Sequence, residues 1–134
     1  NAWLTVEPSG EIVIALHKSE MGQGVMTALP AIVADELDAN WDRVRVEPAY
    51  GDPAYGSFGG NQFTFGSTSV SMSWDTLRYA GATARAMLIE AAAQQWGVPA
   101  SECRSERSRI ERGCITSIED GTFLLSSGIS ASKT

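Results

Sequence analysis

Histidine and cysteine are scarce in this chain, and their scarcity narrows the chemistry open to it. Its 134 residues include one histidine, His17, and two cysteines, Cys103 and Cys114. These three side chains cannot complete a four-ligand zinc site, and iron–sulfur clusters usually take four cysteines. A catalytic dyad or triad built on histidine would have to use His17. For the two cysteines we expect buried, reduced thiols, with a disulfide as the alternative.

The chain also has fewer basic than acidic residues, and it has no long apolar run. Ten basic residues stand against 16 acidic ones, a net charge of −6. This balance argues against nucleic acid, whose phosphates are neutralised by Lys and Arg, and no apolar run approaches the roughly 18 residues that span a bilayer. The chain starts without Met, in strand-like sequence. We therefore expect an excised or processed piece of a protein. As a partner, a second copy of the chain in a homo-oligomer is also compatible with the sequence.

Hydrophobic patterning predicts the element order β-β-α-β-loop-α-β. Thr27 is the predicted N-cap of the first helix, which would begin at Ala28 because Pro30 is tolerated in a first turn. The predicted elements are strands over 2–6, 11–17 and 44–47, helices from 28 to about 38–40 and from 70 to 96, and short β segments over 102–106, 109–112, 115–118 and 123–125.

These elements predict an α+β fold of two layers. A small mixed β-sheet would carry both helices on one face, since this is the economical way to bury their apolar sides. We expect a single domain over residues 1–134, because one domain usually takes roughly 100–150 residues. The Ser-rich tail over about 126–134 is expected to fray.

A glycine-rich segment between the second strand and the first helix is the most informative part of the sequence. Gly22 and Gly24 flank Gln23. Glycines let a backbone approach a ligand closely, and a helix N-terminus offers free N–H groups with partial positive charge. The Gln23 amide can both donate and accept hydrogen bonds. The alternative is a tight turn with a solvated glutamine, and composition alone favours that alternative.

A second segment of this kind follows the aromatic, glycine-rich loop over 49–66 and leads into the second helix. Its residues are Gly66, Ser67, Thr68 and Ser69. An ordinary Ser/Thr cap is the alternative interpretation. If both helix N-termini converge, they form an anion cradle without a basic side chain, and we predict that the two loops lie close together. Neither segment matches a Walker loop or Gly-x-Gly-x-x-Gly.

Two titratable residues adjoin the first loop. His17 ends the second strand, and Glu20 lies inside the loop. A catalytic role is open to both by position. A lone histidine beside a loop is more often a satisfied or exposed side chain, so the structural interpretation is favoured for both residues.

Several spaced stretches resemble the molybdopterin-binding subunit of the xanthine dehydrogenase and aldehyde oxidase family, most closely its isoquinoline 1-oxidoreductase beta-subunit type. The resemblance is specific because the stretches agree in order and separation from about residue 1 to about residue 112. They are residues 20–30, 32–34 and 36–37, Gln62 with 66–70, residues 77–82, and 96–99 with 102–104.

The resemblance implies an oxidoreductase of the molybdenum hydroxylase class, which oxidises N-heterocycles or aldehydes with water as the oxygen source. It implies molybdopterin cytosine dinucleotide as cofactor, with the molybdenum held by the pterin dithiolene. It also implies two partners, the remainder of the subunit and an iron–sulfur subunit, in the bacterial cytoplasm or periplasm. The implied cofactor contacts are Gly22, Gln23, Gly24, Gly66, Ser67, Thr68 and Ser69.

The sequence departs from the family pattern in three ways. Phe65 stands where the family usually has glycine, so we expect its ring either to fill the cofactor's place or to be held out of it by the aromatic loop; the alternative is a ring in the helix core. The stretch after Gly113 fits poorly. The family's catalytic glutamate lies far toward the C-terminus of a longer subunit, outside the resemblance, so no catalytic residue is assigned.

Three functions therefore remain open for this chain. The first is the cofactor-binding segment of a molybdenum hydroxylase, which is incomplete as an active site and inactive alone. The second is a stand-alone binding or interaction domain that kept the fold and lost the cofactor. The third is an unrelated α/β phosphate binder, which would account for the glycines and leave the other matched stretches unexplained.

Overall fold

The computed structural model describes residues 2–56, 60–112 and 122–124. The predicted strand over 115–118, the tail over 126–134 and Cys114 lie outside the described residues. The elements are β1 (Leu4–Val6), β2 (Ile12–Leu16), α1 (Val25–Leu37), β3 (Val44–Pro48), α2 (Ser69–Trp96), β4 (Cys103–Glu106), β5 (Arg109–Arg112) and β6 (Thr122–Leu124).

The strands form two sheets, and the predicted α+β class is confirmed. In the first sheet β1 pairs antiparallel with β2, and β2 pairs parallel with β3 across the α1 crossover. The second sheet is antiparallel, in the order β4-β5-β6. The prediction had placed the strands in one sheet. The 28 residues of α2 extend roughly 42 Å at 1.5 Å per residue, which carries the chain away from the first sheet before β4 begins.

The main core lies between the first sheet and the helices. Ile12, Ile14 and Leu16 of β2 are fully buried and pack with Val33 and Leu37 of α1. Burying one such side chain stabilises the fold by roughly 1.5–3 kcal/mol. The other buried members of the cluster are Leu4, Val25, Leu29, Ile32, Ala34 and Leu77.

Helix α1 starts three residues earlier than predicted, at Val25. Gly24 is the N-cap, with φ +86°, and its carbonyl accepts from the N–H groups of Thr27 and Ala28. This left-handed conformation lets the chain enter the helix before Thr27. Pro30 therefore lies inside the helix, where its ring removes the hydrogen bond that the Met26 carbonyl would otherwise accept.

The two helices run side by side in the same direction. Glu36 of α1 forms an ion pair with Arg78, and Asp38, the C-cap of α1, pairs with Arg85 about two turns further along α2. Gly81 lies at the contact, since a Cβ there would be 2.5 Å from the Val33 carbonyl oxygen. The parallel arrangement places the N-termini of α1 and α2 at one end of the domain.

The second sheet attaches at the opposite end, through Asp38. One carboxylate oxygen accepts from the Ser105 hydroxyl at 2.9 Å, and the other accepts from the Arg107 N–H at 3.2 Å. The Asp38 carbonyl accepts from the Ser108 N–H at 2.7 Å. The β4–β5 turn is thus held at the C-terminus of α1, away from both helix N-termini.

His17 joins the end of β2 to α2. Its Nε2 lies 3.0 Å from the Ser73 hydroxyl, its ring meets Trp3 edge to face at 4.8 Å, and 5% of the residue is exposed. Burial, together with the charge of Lys18, lowers the pKa of His17 to about 4. The imidazole is therefore neutral at physiological pH and packs as part of the structure.

Gly81→Ala is expected to lower the free energy of unfolding by about 1–3 kcal/mol, because the added methyl group overpacks the helix contact. Chemical denaturation would measure the change. Ala82→Ser, on the exposed neighbouring position, is the matched control and should stay within about 0.5 kcal/mol of the parent. An unchanged midpoint in Gly81→Ala would show that the helices do not approach this closely.

His17 should make the free energy of unfolding fall as the pH falls from 6.5 toward about 4, at up to about 1.4 kcal/mol per pH unit. In this window the unfolded chain takes up a proton that the folded chain excludes, so acid favours unfolding. Denaturation across this range would measure the slope, and His17→Gln should lack the histidine component. An imidazole NMR titration with a midpoint near 6.5 would contradict the burial argument.

Candidate functional site

The candidate site lies at the carboxyl ends of the parallel strands β2 and β3. Ligands of sheets with helical crossovers bind in the crevice outside these strand ends. A polar cavity of about 330 Å³ lies there, bounded by the segment that follows β2 and by the loop that follows β3. Its lining includes His17, Ser19, Tyr50, Asn61, Gln62 and Thr64.

Three consecutive residues after β2 hold the two predicted loops together. His17 contacts Ser73 in the second turn of α2. The Lys18 ammonium donates to the Phe63 carbonyl at 2.7 Å, and the Ser19 N–H donates to a threonine hydroxyl, Oγ1 of residue 64, at 2.9 Å. The segments that lead into α1 and α2 therefore lie at the same end of the domain, and the close approach of residues 22–24 to residues 66–68 stays a prediction.

Lys18 is a candidate site residue that the sequence interpretation missed. The cradle had been expected to hold no basic side chain, yet Lys18 is buried between the two loops with 3% of its surface exposed. Among the described residues it forms no ion pair, and desolvation lowers the pKa of its ammonium. Positive charge near two helix N-termini favours an anionic ligand.

The first loop is closed by its own glutamine. The Oε1 atom of Gln23 accepts from the Met21 N–H at 2.6 Å, and Nε2 donates to the Ser19 carbonyl at 2.8 Å. Gln23 is thus held by the backbone of its own loop while its residue stays exposed to solvent, so the cofactor contact and the tight-turn alternative both stay open. Gly22 and Gly24 have φ of +90° and +86°, and no atom lies within 4 Å of a Cβ built on either.

Glu20 lies at the N-terminus of α1. Its carboxylate accepts hydrogen bonds from the backbone N–H groups of Gly22, Gly24 and Met26 at 2.7, 3.1 and 2.8 Å. These bonds lower the pKa of Glu20, with the bond from Met26 the largest contribution. A carboxylate held in this way is an anionic helix cap.

The second loop enters α2 through two left-handed residues, Gly66 and Ser67, with φ of +62° and +55°. The predicted hydroxyl cap is wrong, because the Thr68 hydroxyl donates to the Phe65 carbonyl at 2.8 Å. Thr68 has helical φ and ψ values, and its hydroxyl is directed back toward the loop by this bond. Within the described part of the chain no side chain caps the first turn of α2, so its N–H groups remain open to a ligand.

Phe65 lies on the surface beside this loop. Its exposed fraction is 61%, and its ring meets Phe63 edge to face at 6.1 Å. The alternative of a ring in the helix core is therefore wrong. Phe65 contacts another ring of the aromatic loop, and both expected outcomes, a ring that fills the cofactor's place and a ring that the loop holds out of it, stay predictions.

Other candidate features add no chemistry to this site. Over residues 2–56, 60–112 and 122–124, no three His, Cys, Asp or Glu side chains group as ligands for a metal ion. No helix there has the length and apolar character required to cross a membrane. Cys103 is a half-buried free thiol, and burial raises its pKa.

Comparison with known proteins matches the sequence of this chain to one family. The family model described as the molybdopterin cofactor-binding domain matches residues 1–126. The beta subunit of isoquinoline 1-oxidoreductase from Brevundimonas diminuta is 44% identical over 113 residues, which is 82% of this chain and 14% of that protein. A nicotinate dehydrogenase subunit from Pseudomonas putida is 32% identical over 126 residues, 94% of this chain and 9% of that protein.

A third relative carries a different cofactor in its name. The membrane-bound aldehyde dehydrogenase [pyrroloquinoline-quinone] of Gluconacetobacter polyoxogenes is 38% identical over 111 residues, 83% of this chain and 14% of that protein. This chain thus spans between 9% and 14% of the length of these three relatives.

Solved structures share the fold. Cu,Mo-CO dehydrogenase superposes with a TM-score of 0.63 at 21% identity, over 81% of this chain and 13% of that chain. Quinoline 2-oxidoreductase from Pseudomonas putida 86 superposes with a TM-score of 0.58 at 16% identity, over the same shares. With the family model matching most of its length, the chain belongs to the molybdopterin cofactor-binding domain family of the molybdenum hydroxylases.

Proposed function

We propose that this chain binds molybdopterin cytosine dinucleotide as part of a molybdenum hydroxylase that oxidises N-heterocycles or aldehydes. The observation that carries the proposal is that the segments leading into the two glycine-rich helix starts are hydrogen-bonded to each other, Lys18 to Phe63 and Ser19 to Thr64, with Lys18 buried at this contact. The names of the relatives, which refer to isoquinoline, nicotinate and an aldehyde, support the substrate class.

The described residues fit an anionic cofactor of this kind. A dinucleotide carries phosphates, and backbone N–H groups at a helix N-terminus are suited to phosphate oxygens. The uncapped first turn of α2 supplies such groups, and Lys18, bound to the Phe63 carbonyl, adds positive charge at the same end of the domain. The proposed contacts are Gly22, Gln23, Gly24, Gly66, Ser67, Thr68 and Ser69.

The glycines of the first loop keep space for the cofactor. Because the positions of Gly22 and Gly24 are open within 4 Å, a ligand can approach the backbone there without meeting a side chain. When bound, the molybdenum centre supplies the oxidation chemistry. This chain's residues bind and orient the cofactor, and no residue of the chain is proposed to act as the catalytic acid or base.

The remaining parts of the active site are proposed to come from other chain segments. The partners are the remainder of a longer molybdopterin-binding subunit and an iron–sulfur subunit that accepts the electrons. An apolar groove of about 500 Å³ runs along the outer face of α2, next to Trp3 and Tyr79, and Tyr79 is 76% exposed. An exposed apolar groove of this kind supports a surface that another segment covers.

The purified chain is expected to bind isolated molybdopterin cytosine dinucleotide saturably, measured by quenching of tryptophan fluorescence. Gly24→Ala should weaken binding at least tenfold, because the methyl group enters the space kept for the cofactor. Gly97→Ala is the matched control, since Gly97 also has positive φ, +66°, and open space around it, but lies at the far end of α2.

Two further ligands sharpen this experiment. Molybdopterin without the nucleotide measures the contribution of the cytosine dinucleotide, and pyrroloquinoline quinone tests the cofactor named in one relative. Tighter binding of pyrroloquinoline quinone, absence of saturable binding, or an equal loss in Gly97→Ala would each contradict the proposal. Absence of binding with a folded chain would point to the domain that has lost its cofactor.

Phe65→Gly is expected to bind the same cofactor several-fold more tightly, because glycine frees the space beside the second loop. The free energy of unfolding should fall by about 1 kcal/mol or less, since the ring is largely exposed and only loop entropy is added. Phe63→Gly, the partner in the aromatic contact, serves as the control. Unchanged affinity in Phe65→Gly would place this ring outside the site.

A further inference from the structure

Lys18 carries a buried positive charge that the described part of the chain leaves without a counter-ion. We infer that Lys18 is a binding residue for a phosphate group of the ligand, next to the polar cavity at the carboxyl ends of β2 and β3. Only the compound that carries this phosphate, the dinucleotide or another one, rests on the proposed function. The binding role rests on the surroundings of Lys18 itself.

The ammonium of Lys18 has unused hydrogen-bonding capacity. It offers three N–H donors, and among the residues that the structure describes its one hydrogen bond goes to the Phe63 carbonyl, at 2.7 Å. Only 3% of the residue is exposed, so water has little access to the remaining donors. Burying a charge is costly unless the charge is paired, and desolvation accordingly lowers the pKa of Lys18. The buried ammonium thus lacks an anionic partner, which a ligand can supply.

The carboxylates of the chain are used elsewhere. Although 16 acidic residues are available, the described ion pairs all involve arginines that are more exposed than Lys18. These are Arg45, Arg78, Arg85, Arg104 and Arg112. Glu20 is the acidic residue nearest to Lys18 in sequence, and its carboxylate is bound by backbone N–H groups of the first loop. The place beside Lys18 is therefore open to an external anion.

The cavity next to Lys18 does not repel an anion. His17 and Ser19, the sequence neighbours of Lys18, both line it, and the side chains described in its lining are neutral. Three other cavities in the described part of the chain each have at least one aspartate or glutamate in their lining. The charge of Lys18 also contributes to the lowered pKa of His17, so the ammonium acts electrostatically on the wall of the cavity. An anion there meets positive charge and no carboxylate of the described lining.

A phosphate group suits the donors at this place. Its several oxygens can accept from an ammonium and from hydroxyl groups at the same time, and lysine is a common phosphate ligand. Ser19, Tyr50 and Thr64 bring hydroxyl groups to the lining. The Thr64 oxygen accepts from the Ser19 N–H, which leaves the hydroxyl hydrogen of Thr64 available to donate.

NMR can observe this ammonium directly, because the only lysines of the chain are Lys18 and Lys133. In Lys133→Arg protein labelled with carbon-13 lysine, the one side-chain signal reports the pKa of Lys18. The probe is inorganic pyrophosphate, with sodium chloride at equal ionic strength as the control. Pyrophosphate should raise the pKa of Lys18 saturably, by about one pH unit or more, since a nearby negative charge favours the ammonium. Sodium chloride should not raise it.

Lys18→Met tests the charge through thermal unfolding. Pyrophosphate should raise the Tm of the parent chain by about 2 °C or more and leave that of Lys18→Met unchanged. Without a ligand, Lys18→Met should be at least as stable as the parent, because an unpaired buried charge is replaced by an apolar side chain. Arg109→Met is the matched control, since it removes the same charge from an exposed position of β5. It should respond to pyrophosphate as the parent does.

An unchanged pKa of Lys18 in pyrophosphate would overturn the inference, and this measurement retains Lys18, so it does not depend on the folding of Lys18→Met. Equal protection of parent and Lys18→Met would also overturn it and leave Lys18 a structural link to Phe63. Molybdopterin cytosine dinucleotide is the second ligand in the same NMR experiment. A pKa rise with pyrophosphate alone supports the inference and contradicts the proposed function, whereas a rise with the dinucleotide alone does the reverse.

Discussion

The hydrogen bonds that leave residues 17–19 are the constraint on which the site depends. His17 contacts Ser73 within α2, and Lys18 and Ser19 contact Phe63 and Thr64 in the segment that leads into α2. The bonded residues are 45 to 56 positions apart in sequence, and these contacts make the loops preceding α1 and α2 neighbours. Without them, the two glycine-rich loops would be independent, and a ligand would lose the simultaneous contacts that a shared site offers.

Electrostatics at this end of the domain are balanced locally. Two helix N-termini and the buried Lys18 contribute positive charge, and Glu20 contributes a carboxylate bound to the first turn of α1. The net charge of −6 over the whole chain therefore does not describe the site. A small positive region on an acidic domain can bind an anionic cofactor while the rest of the surface repels other polyanions.

The closest helix contact and the proposed binding site lie at opposite ends of the same helix pair. The close helix contact at Gly81 and the Asp38 hydrogen bonds to the β4–β5 turn lie toward the C-terminus of α1. The open glycine positions and the uncapped start of α2 lie at the N-terminal end. The loops at the N-terminal end keep unfilled space and left-handed backbone, while the close helix contact and the Asp38 hydrogen bonds add packing at the other end.

The sequence by itself determined the features that depend on local pattern: the β-α-β order, the two glycine-rich loops, and the family, because spacing and turn chemistry are local properties. Three features were decided only by tertiary structure. Lys18 is buried because a distant carbonyl, that of Phe63, accepts a hydrogen bond from its ammonium. Glu20 caps α1 because left-handed Gly22 and Gly24 fold the loop back onto it. The strands divide into two sheets because a 28-residue helix separates them in space. Each of these outcomes depends on long-range contacts or backbone reversals, which residue periodicity does not encode.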